Sequence, residues 1–288
     1  MNTMSIRPRG IGEILDGAFR LYKEDVGLYV LTATLGALPF ALVMIASTGD
    51  SDTALLAVVV GGLSAFVLTM VVWSALMDQM NRRLEGEQPT FSASMKRGLN
   101  LFFRVAWGAI LAYFVLFAGM MVWMFASGLI AMLGGFVHEM VGVLLGVLAG
   151  IFLAVVVFFR AVAGSALFLP GIIVEGKTAY SSVKRGFALA RGGHLRIVAV
   201  LLLSWILILV PLTATYFLTG TTAALVDPDA VANGAISAGQ LAAQQLLAVV
   251  ASGFTTPFLV ACILLMHYDQ RVRLEAFDLE AEAGALAG

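Results

Sequence analysis

Arg160 is the residue in this sequence best placed to do chemistry. It stands alone in an apolar run about ten residues before Pro170, roughly 15 Å at helical rise, which puts it near the middle of a bilayer. A central Arg costs about 2.5–3.5 kcal/mol on insertion scales, so it needs a partner. One reading is an anionic solute or a lipid phosphate in a cytoplasm-facing cavity. The other is a structural ion pair or a guanidinium capping backbone carbonyls. Asp78 and Asp269 lie nearer the cytoplasmic surface and could meet an Arg side chain reaching that way. Arg160, Asp78 and Asp269 therefore form the candidate intramembrane polar site, with Glu175 a further acid at similar depth. Asp78, Glu85, Glu175 and Asp269 sit among many Arg and Lys residues, which favours interfacial salt bridges over an acid cluster.

Other reactive constellations are missing from the sequence. The single cysteine, Cys262, allows neither an internal disulfide nor a thiolate metal site. His138, His194 and His267 are far apart. There is no G-x-x-x-x-G-K-[ST], H-E-x-x-H, G-x-S-x-G or dinucleotide fingerprint. The apolar segments lack the series of carboxylates a proton-coupled pump needs. The expectation is no catalytic residue, no metal and no cofactor.

The elements that position these residues follow from composition and charge. The chain is 60% hydrophobic and 12% charged, with a mean hydropathy of +0.97. A soluble domain carries about twice that charge fraction. Net charge is −1, which gives no basic field for nucleic acid. Of 17 Lys and Arg residues, all but Arg160 fall in four blocks, 7–23, 82–104, 177–196 and 271–273. Between consecutive blocks lies a long apolar stretch broken once by a short turn without Lys or Arg.

A helix needs about 20 apolar residues to cross the hydrocarbon core. Residues 26–48 and 53–77 supply two spans. Others lie within 105–137, from 140 to about 169, within 197–226, and from 246 to 268. The turns between paired spans carry Asp50 and Asp52, His138 and Glu139, and Asp227 and Asp229. Cationic loops stay in the cytoplasm, so both termini and both inter-hairpin segments are expected there. The leader, with Glu13, Asp16, Glu24 and Asp25, is unlike a cleaved signal peptide, whose start is short and basic.

Each hairpin follows an amphipathic stretch. Ile11, Ile14, Leu15, Ala18 and Tyr22 recur at helical spacing in the first. Phe91, Met95, Leu99 and Phe102 do so in the second, and Tyr180, Val183, Phe187 and Ala190 in the third. Such helices can lie in the headgroup plane, with Lys96, Arg97, Lys184 and Arg185 toward anionic lipid. The alternative is that each simply continues into the span after it.

The units resemble one another. Leu84-Glu85-Gly86 precedes Lys96-Arg97-Gly98, and Val174-Glu175-Gly176 precedes Lys184-Arg185-Gly186. The end of the second span, Asp78-Gln79 through Leu84-Glu85, is echoed by Asp269-Gln270 through Leu274-Glu275. The expected fold is thus an all-α integral membrane protein of six transmembrane helices. They form three parallel repeats of an interfacial helix plus a two-span hairpin, at 10–86, 87–176 and 177–277, with a cytoplasmic tail at 278–288.

Within the fourth span Gly142, Gly146, Gly150 and Ala154 make a small-residue ladder, which lets backbones approach closely in lipid. Arg160 is eighteen residues beyond Gly142, five full turns at about 100° per residue, so it is expected on the ladder's face, with Gly164 extending the strip. That face packs inward on this reading; a homodimer seam is the alternative. Pro39, Pro211 and Pro257 interrupt spans and serve as kinks or packing features. Trp73, Trp107 and Trp123 read as belt or lipid-facing residues.

Three stretches resemble a known family. Arg7-Pro8-Arg9-Gly10-Ile11-Gly12-Glu13-Ile14-Leu15-Asp16-Gly17-Ala18-Phe19-Arg20-Leu21-Tyr22 is similar to the start of a widespread prokaryotic family of six-span proteins. That family is described as the membrane domain of glycerophosphoryl diester phosphodiesterases. His267-Tyr268-Asp269-Gln270-Arg271-Val272-Arg273-Leu274-Glu275 through Glu280 resembles its end, although the usual members carry Leu where Gln270 stands. The middle, from Arg160 through Pro170 and Lys184-Arg185-Gly186 to Gly192, is similar too. The resemblance implies six spans in a prokaryotic plasma membrane. It implies no phosphodiesterase here, because that activity sits in a separate soluble domain. The expected function is a non-catalytic accessory or scaffold module engaging membrane lipids, another membrane protein or a second copy of itself. The alternative is a transporter-like module for an anionic or amphipathic solute, with Arg160 as contact.

Overall fold

A computed structural model describes residues 8–46, 52–225, 227 and 234–275. Arg7, Asp50, Asp229 and the tail 278–288 lie outside the described residues. Among the described residues every regular element is a helix. In chain order they are α1 (Ile11–Glu24), α2 (Val26–Ala46), α3 (Asp52–Leu84), α4 (Phe91–Gly135), α5 (Glu139–Leu153), α6 (Phe159–Ala166), α7 (Phe168–Ile173), α8 (Ala179–Leu189), α9 (His194–Thr219) and α10 (Ala238–Glu275). A π turn, Ala154–Phe158, joins α5 to α6. Six segments are long and apolar enough to cross a membrane: α2, most of α3, α4, the run from α5 through α7, α9 and α10. The chain is a multi-pass helical membrane protein.

The chain divides into two compact units. Among the described residues, one contains 12–46, 52–103, 201–225, 227 and 234–264, and the other 8–11, 104–200 and 265–275. The first unit is centred on buried Tyr29, Leu76, Met77, Met80 and Leu264. α2 and α3 pack closely where Gly36 faces Val72; a Cβ on Gly36 would lie 2.8 Å from the valine methyl. The second unit buries Leu167, Ile172, Ile173, Leu189 and Ile197. Large apolar residues stay exposed along α4 and α5, among them Phe114, Phe125, Val143, Leu144 and Phe152. In water such surfaces would drive aggregation; in lipid they are the solvated face.

The amphipathic stretches take two forms. α1 and α8 are separate helices, each with a buried stripe: Ile14, Gly17, Ala18 and Leu21 in α1, and Ser182, Val183, Gly186 and Leu189 in α8. The second stretch has no break of its own. It is the start of α4, one uninterrupted helix of 45 residues. Nothing in residues 91–105 stops a helix, whereas Gly192, at φ +76°, ends the α8 segment.

Span four is the most broken. A π turn holds one extra residue, so the helix beyond it is rotated by about 100° against the face before it. A second break falls at Leu167, where φ −92° and ψ 6° separate α6 from α7. Pro39, Pro211 and Pro257 lie inside α2, α9 and α10 without ending them. Thr213 Oγ1 donates to Leu209 O beside Pro211, and Thr255 Oγ1 to Ala251 O beside Pro257.

Candidate functional site

Three acids at the ends of spans collect the polar chemistry. Asp78 is one turn short of Arg82 on α3, and the two meet at 3.0 Å. α4 supplies the other half of the clamp. Arg97 Nη1 lies 2.7 Å from Asp78 Oδ1, and Ser94 Oγ donates to Oδ2 at 2.9 Å. Ser94 and Arg97 share a helix face, being three residues apart. Gly98 follows, and a Cβ there would sit 2.5 Å from Val71 O, so only glycine lets α4 approach α3 this closely. Asp78 is 1% exposed. A carboxylate this buried is tolerable because two cations and a hydroxyl replace its water.

Glu175 follows α7. Arg185 Nε, on α8, donates to both of its oxygens at 3.2 and 3.0 Å. Lys177 Nζ lies 3.3 Å away. From α10, His267 Nε2 approaches to 3.0 Å and Arg271 Nε to 3.8 Å. Arg185 also donates to Glu275 at 2.7 Å, and Arg271 pairs with Glu275 at 3.3 Å, which makes a network of five charged groups, Glu175, Lys177, Arg185, Arg271 and Glu275, beside the imidazole. Burial of Glu175 opposes ionisation. The close approach of the His267 imidazole, then the charge and hydrogen bonds of Arg185, outweigh it and hold the carboxyl at about 2. Gly186 repeats the role of Gly98: its Cβ would overlap Gly164 O.

Asp269 is the third. Arg196 Nη1 lies 2.8 Å and Arg273 Nε 3.0 Å from its Oδ2, while the backbone N–H of Arg9 donates to Oδ1 at 2.7 Å. The Arg9 carbonyl accepts from Arg273 Nη2 at 2.8 Å and from Arg196 Nη2. The segment before α1 is thereby tied to the end of α10.

Arg160 does not join Asp269 within the second unit, and both Asp78 and Asp269 are held by other arginines. Arg160 is exposed, and no hydrogen bond or ion pair meets it among the described residues. The five-turn count from Gly142 assumed a regular helix; the π turn at Ala154–Phe158 breaks that register and carries Arg160 off the glycine face. The ladder itself packs within the hairpin. A Cβ on Gly142 would lie 2.7 Å from Ala131 O, and one on Gly146 would lie 2.6 Å from Ala131 Cβ, while Trp123 Nε1 donates to Gly150 O at 2.8 Å. Ala154 falls in the π turn, and Gly164 turns to a different neighbour, the ring of Phe187 on α8.

The four residues assigned to headgroups also divide. Lys96 and Lys184 are exposed. Arg97 and Arg185 reach to Asp78 and Glu175 instead. Sequence reasoning missed His267, Glu275, Arg196 and the Arg9 backbone as members of these clusters. The available signal was the four-residue spacing of Asp78–Arg82, Asp269–Arg273 and Arg271–Glu275, which puts opposite charges on one helical face. Among the described residues no three His, Cys, Asp or Glu side chains gather as a metal site requires.

These features define the class: a helical, multi-pass membrane protein with three clamped carboxylates at its span ends. No family model, curated protein or solved structure matches the chain.

Proposed function

We propose that this protein is a non-catalytic accessory or scaffold module of a prokaryotic plasma membrane, engaging lipids or a membrane partner. The observation that carries the reading is the state of its acids. Asp78, Glu175 and Asp269 are each neutralised by cations of their own chain, which leaves no free carboxylate at these positions for proton transfer or ion coupling. The exposed apolar faces of α4 and α5 are surfaces for lipid or for partner helices. The charge blocks support cytoplasmic termini. The likeness to the six-span family supports the prokaryotic membrane.

We further propose that the chain is three copies of one unit, at 10–86, 87–176 and 177–277. Thr90-Phe91-Ser92-Ala93-Ser94-Met95-Lys96-Arg97-Gly98 parallels Thr178-Ala179-Tyr180-Ser181-Ser182-Val183-Lys184-Arg185-Gly186. Gly86 and Gly176, which end Glu-Gly pairs, both take positive φ, +84° and +65°. The acid closing each copy is held from outside that copy: Asp78 by Arg97 of the second, Glu175 by Arg185 of the third, and Asp269 by the backbone N–H of Arg9, just before the first.

The test is reconstitution of the full chain in liposomes, with co-purification from its own membranes in parallel. The expected result is no saturable solute flux and recovery of lipid or a stoichiometric partner. Saturable flux by the protein alone overturns the reading. A transport reading for an anionic solute draws on the exposed, unpaired Arg160; it requires flux that Arg160→Leu abolishes.

A further inference from the structure

One cleft of about 410 Å³ lies wholly within the second unit, between the turn that precedes α9 and the end of α10. That volume is in the range of small-ligand sites. Arg191, His194, Arg196, Gln270 and Arg273 line it, together with Gly192 and Gly193. Among the described residues, three guanidinium groups meet one nearby carboxylate, Asp269, an excess of two positive charges. Arg196 and Arg273 are fixed in place by Asp269 and by the Arg9 carbonyl. Arg191 is exposed, and its side chain has no partner among the described residues.

The backbone adds to this field. Ile197 N–H bonds to Gly193 O, which makes Gly193 the residue before the first turn of the 26-residue α9. The N–H groups of the first turn have no carbonyl below them and carry the positive end of the helix dipole. Gly192, at φ +76°, makes the turn that exposes them to the cleft.

The independent sign of a ligand is Gln270. It is 2% exposed, yet it lines the cleft. Its amide nitrogen reaches only the Met266 sulfur, at 3.7 Å, and its amide oxygen has no hydrogen-bond partner among the described residues. The amide is pressed against Gly193, where a Cβ would lie 3.0 Å from Oε1. The amide oxygen opens onto the cleft, where a hydroxyl of an entering ligand can donate to it.

We propose that this cleft binds a phosphate-bearing polyol headgroup. The phosphate is held by Arg191, Arg273 and the N-terminus of α9, and a ligand hydroxyl donates to Gln270 Oε1. Two net charges suit a phosphate, and Arg forks match its oxygens bidentately. The ligand is either a phospholipid entering from the bilayer or a soluble phosphate ester from the cytoplasm, and the two share this chemistry. The proposal deepens the lipid-engaging part of the function above without depending on whether a partner protein exists.

The test uses the full chain in a mild detergent. Native mass spectrometry after exposure to mixed phosphatidylglycerol and phosphatidylcholine reads the lipid arm. Calorimetric titration with glycerol phosphate and with inorganic phosphate reads the soluble arm. The expected result is retention of phosphatidylglycerol over phosphatidylcholine, or saturable binding of glycerol phosphate in preference to inorganic phosphate. Arg191→Gln and Gln270→Leu should each weaken that binding at least tenfold, and Lys23→Gln, an exposed cation outside the cleft, should leave it unchanged. Gln270→Leu keeps the buried volume, and an unchanged melting temperature shows that it folds. The proposal is overturned if neither ligand binds, if Arg191→Gln and Gln270→Leu leave binding unchanged, or if Lys23→Gln weakens binding as much as the cleft variants do. Loss of this site would leave the flux and partner assays unaffected, so the two readings fail separately.

Discussion

Gly98→Ala tests the packing that brings Arg97 to Asp78. The added Cβ would stand 2.5 Å from the Val71 carbonyl oxygen, and real Cβ atoms essentially never approach closer than 3.0 Å. The obstacle is backbone on a neighbouring helix, so no rotamer change relieves it. Overpacking of this kind costs about 1–3 kcal/mol, against a helix-propensity gain of at most about 1 kcal/mol for replacing glycine. The net expectation is a loss of roughly 1–2 kcal/mol, or a melting temperature lower by about 2–6 °C for a chain this size. Cys262 is the one cysteine and is fully buried in the same unit as Gly98. A fluorogenic thiol reagent therefore reports unfolding of that unit without engineering. Gly12→Ala is the control, because nothing lies within 4 Å of the Cβ it would add. It should leave the melt unchanged or raise it slightly. If Gly98→Ala melts at or above the wild type, α4 does not approach α3 as described, and the clamp on Asp78 loses its structural basis.

Three other outcomes follow from the clusters. Asp78→Asn should destabilise by about 2–4 kcal/mol in the same thiol assay, less than a fully buried pair would lose because Arg82 and Arg97 can turn to solvent; Asp16→Asn, which breaks only an exposed pair with Arg20, should change stability by less than about 0.5 kcal/mol. Glu175 has its folded value lowered from 4.5 to about 2, so its contribution is present above pH 4.5 and is lost as pH falls toward 2. That contribution is at most about 3–4 kcal/mol, and acid unfolding followed by tryptophan fluorescence should show Glu175→Gln less stable at neutral pH and less sensitive to acid. Arg160→Leu should leave the aggregation temperature in light scattering unchanged or higher, since no side chain of the described residues pairs with the guanidinium; a drop of several degrees would reveal a partner.

Much of the helical layout was legible from residue type alone. All six expected spans fall on helices, and α1 and α8 begin and end close to the amphipathic stretches read from Ile14, Ala18, Val183 and Ala190. Local patterns carry this information because a backbone in hydrocarbon must bond to itself, leaving few options once apolar length is known. The candidate site was less legible. Asp78 and Asp269 were identified as polar residues at the edge of the membrane, but their partners were not. The choice among nearby arginines depends on which helices touch, and sequence spacing resolves only the contacts one turn away, such as Arg82 and Arg273.

The sequence by itself determined that this is a helical membrane protein and where its cations concentrate, because hydrophobic length and charge act locally and additively. Only the tertiary structure decided the fate of particular residues. The π turn at Ala154–Phe158 rotated Arg160 away from the glycine ladder, a one-residue change in hydrogen bonding that no periodicity count detects. Glycine contacts at Gly98 and Gly186 set which helices approach closely, and so assigned Arg97 and Arg185 to buried acids rather than to lipid. The cleft at Gln270 arises where the turn before α9 meets α10, far apart in sequence. Its chemistry comes from that meeting and from no motif in either segment.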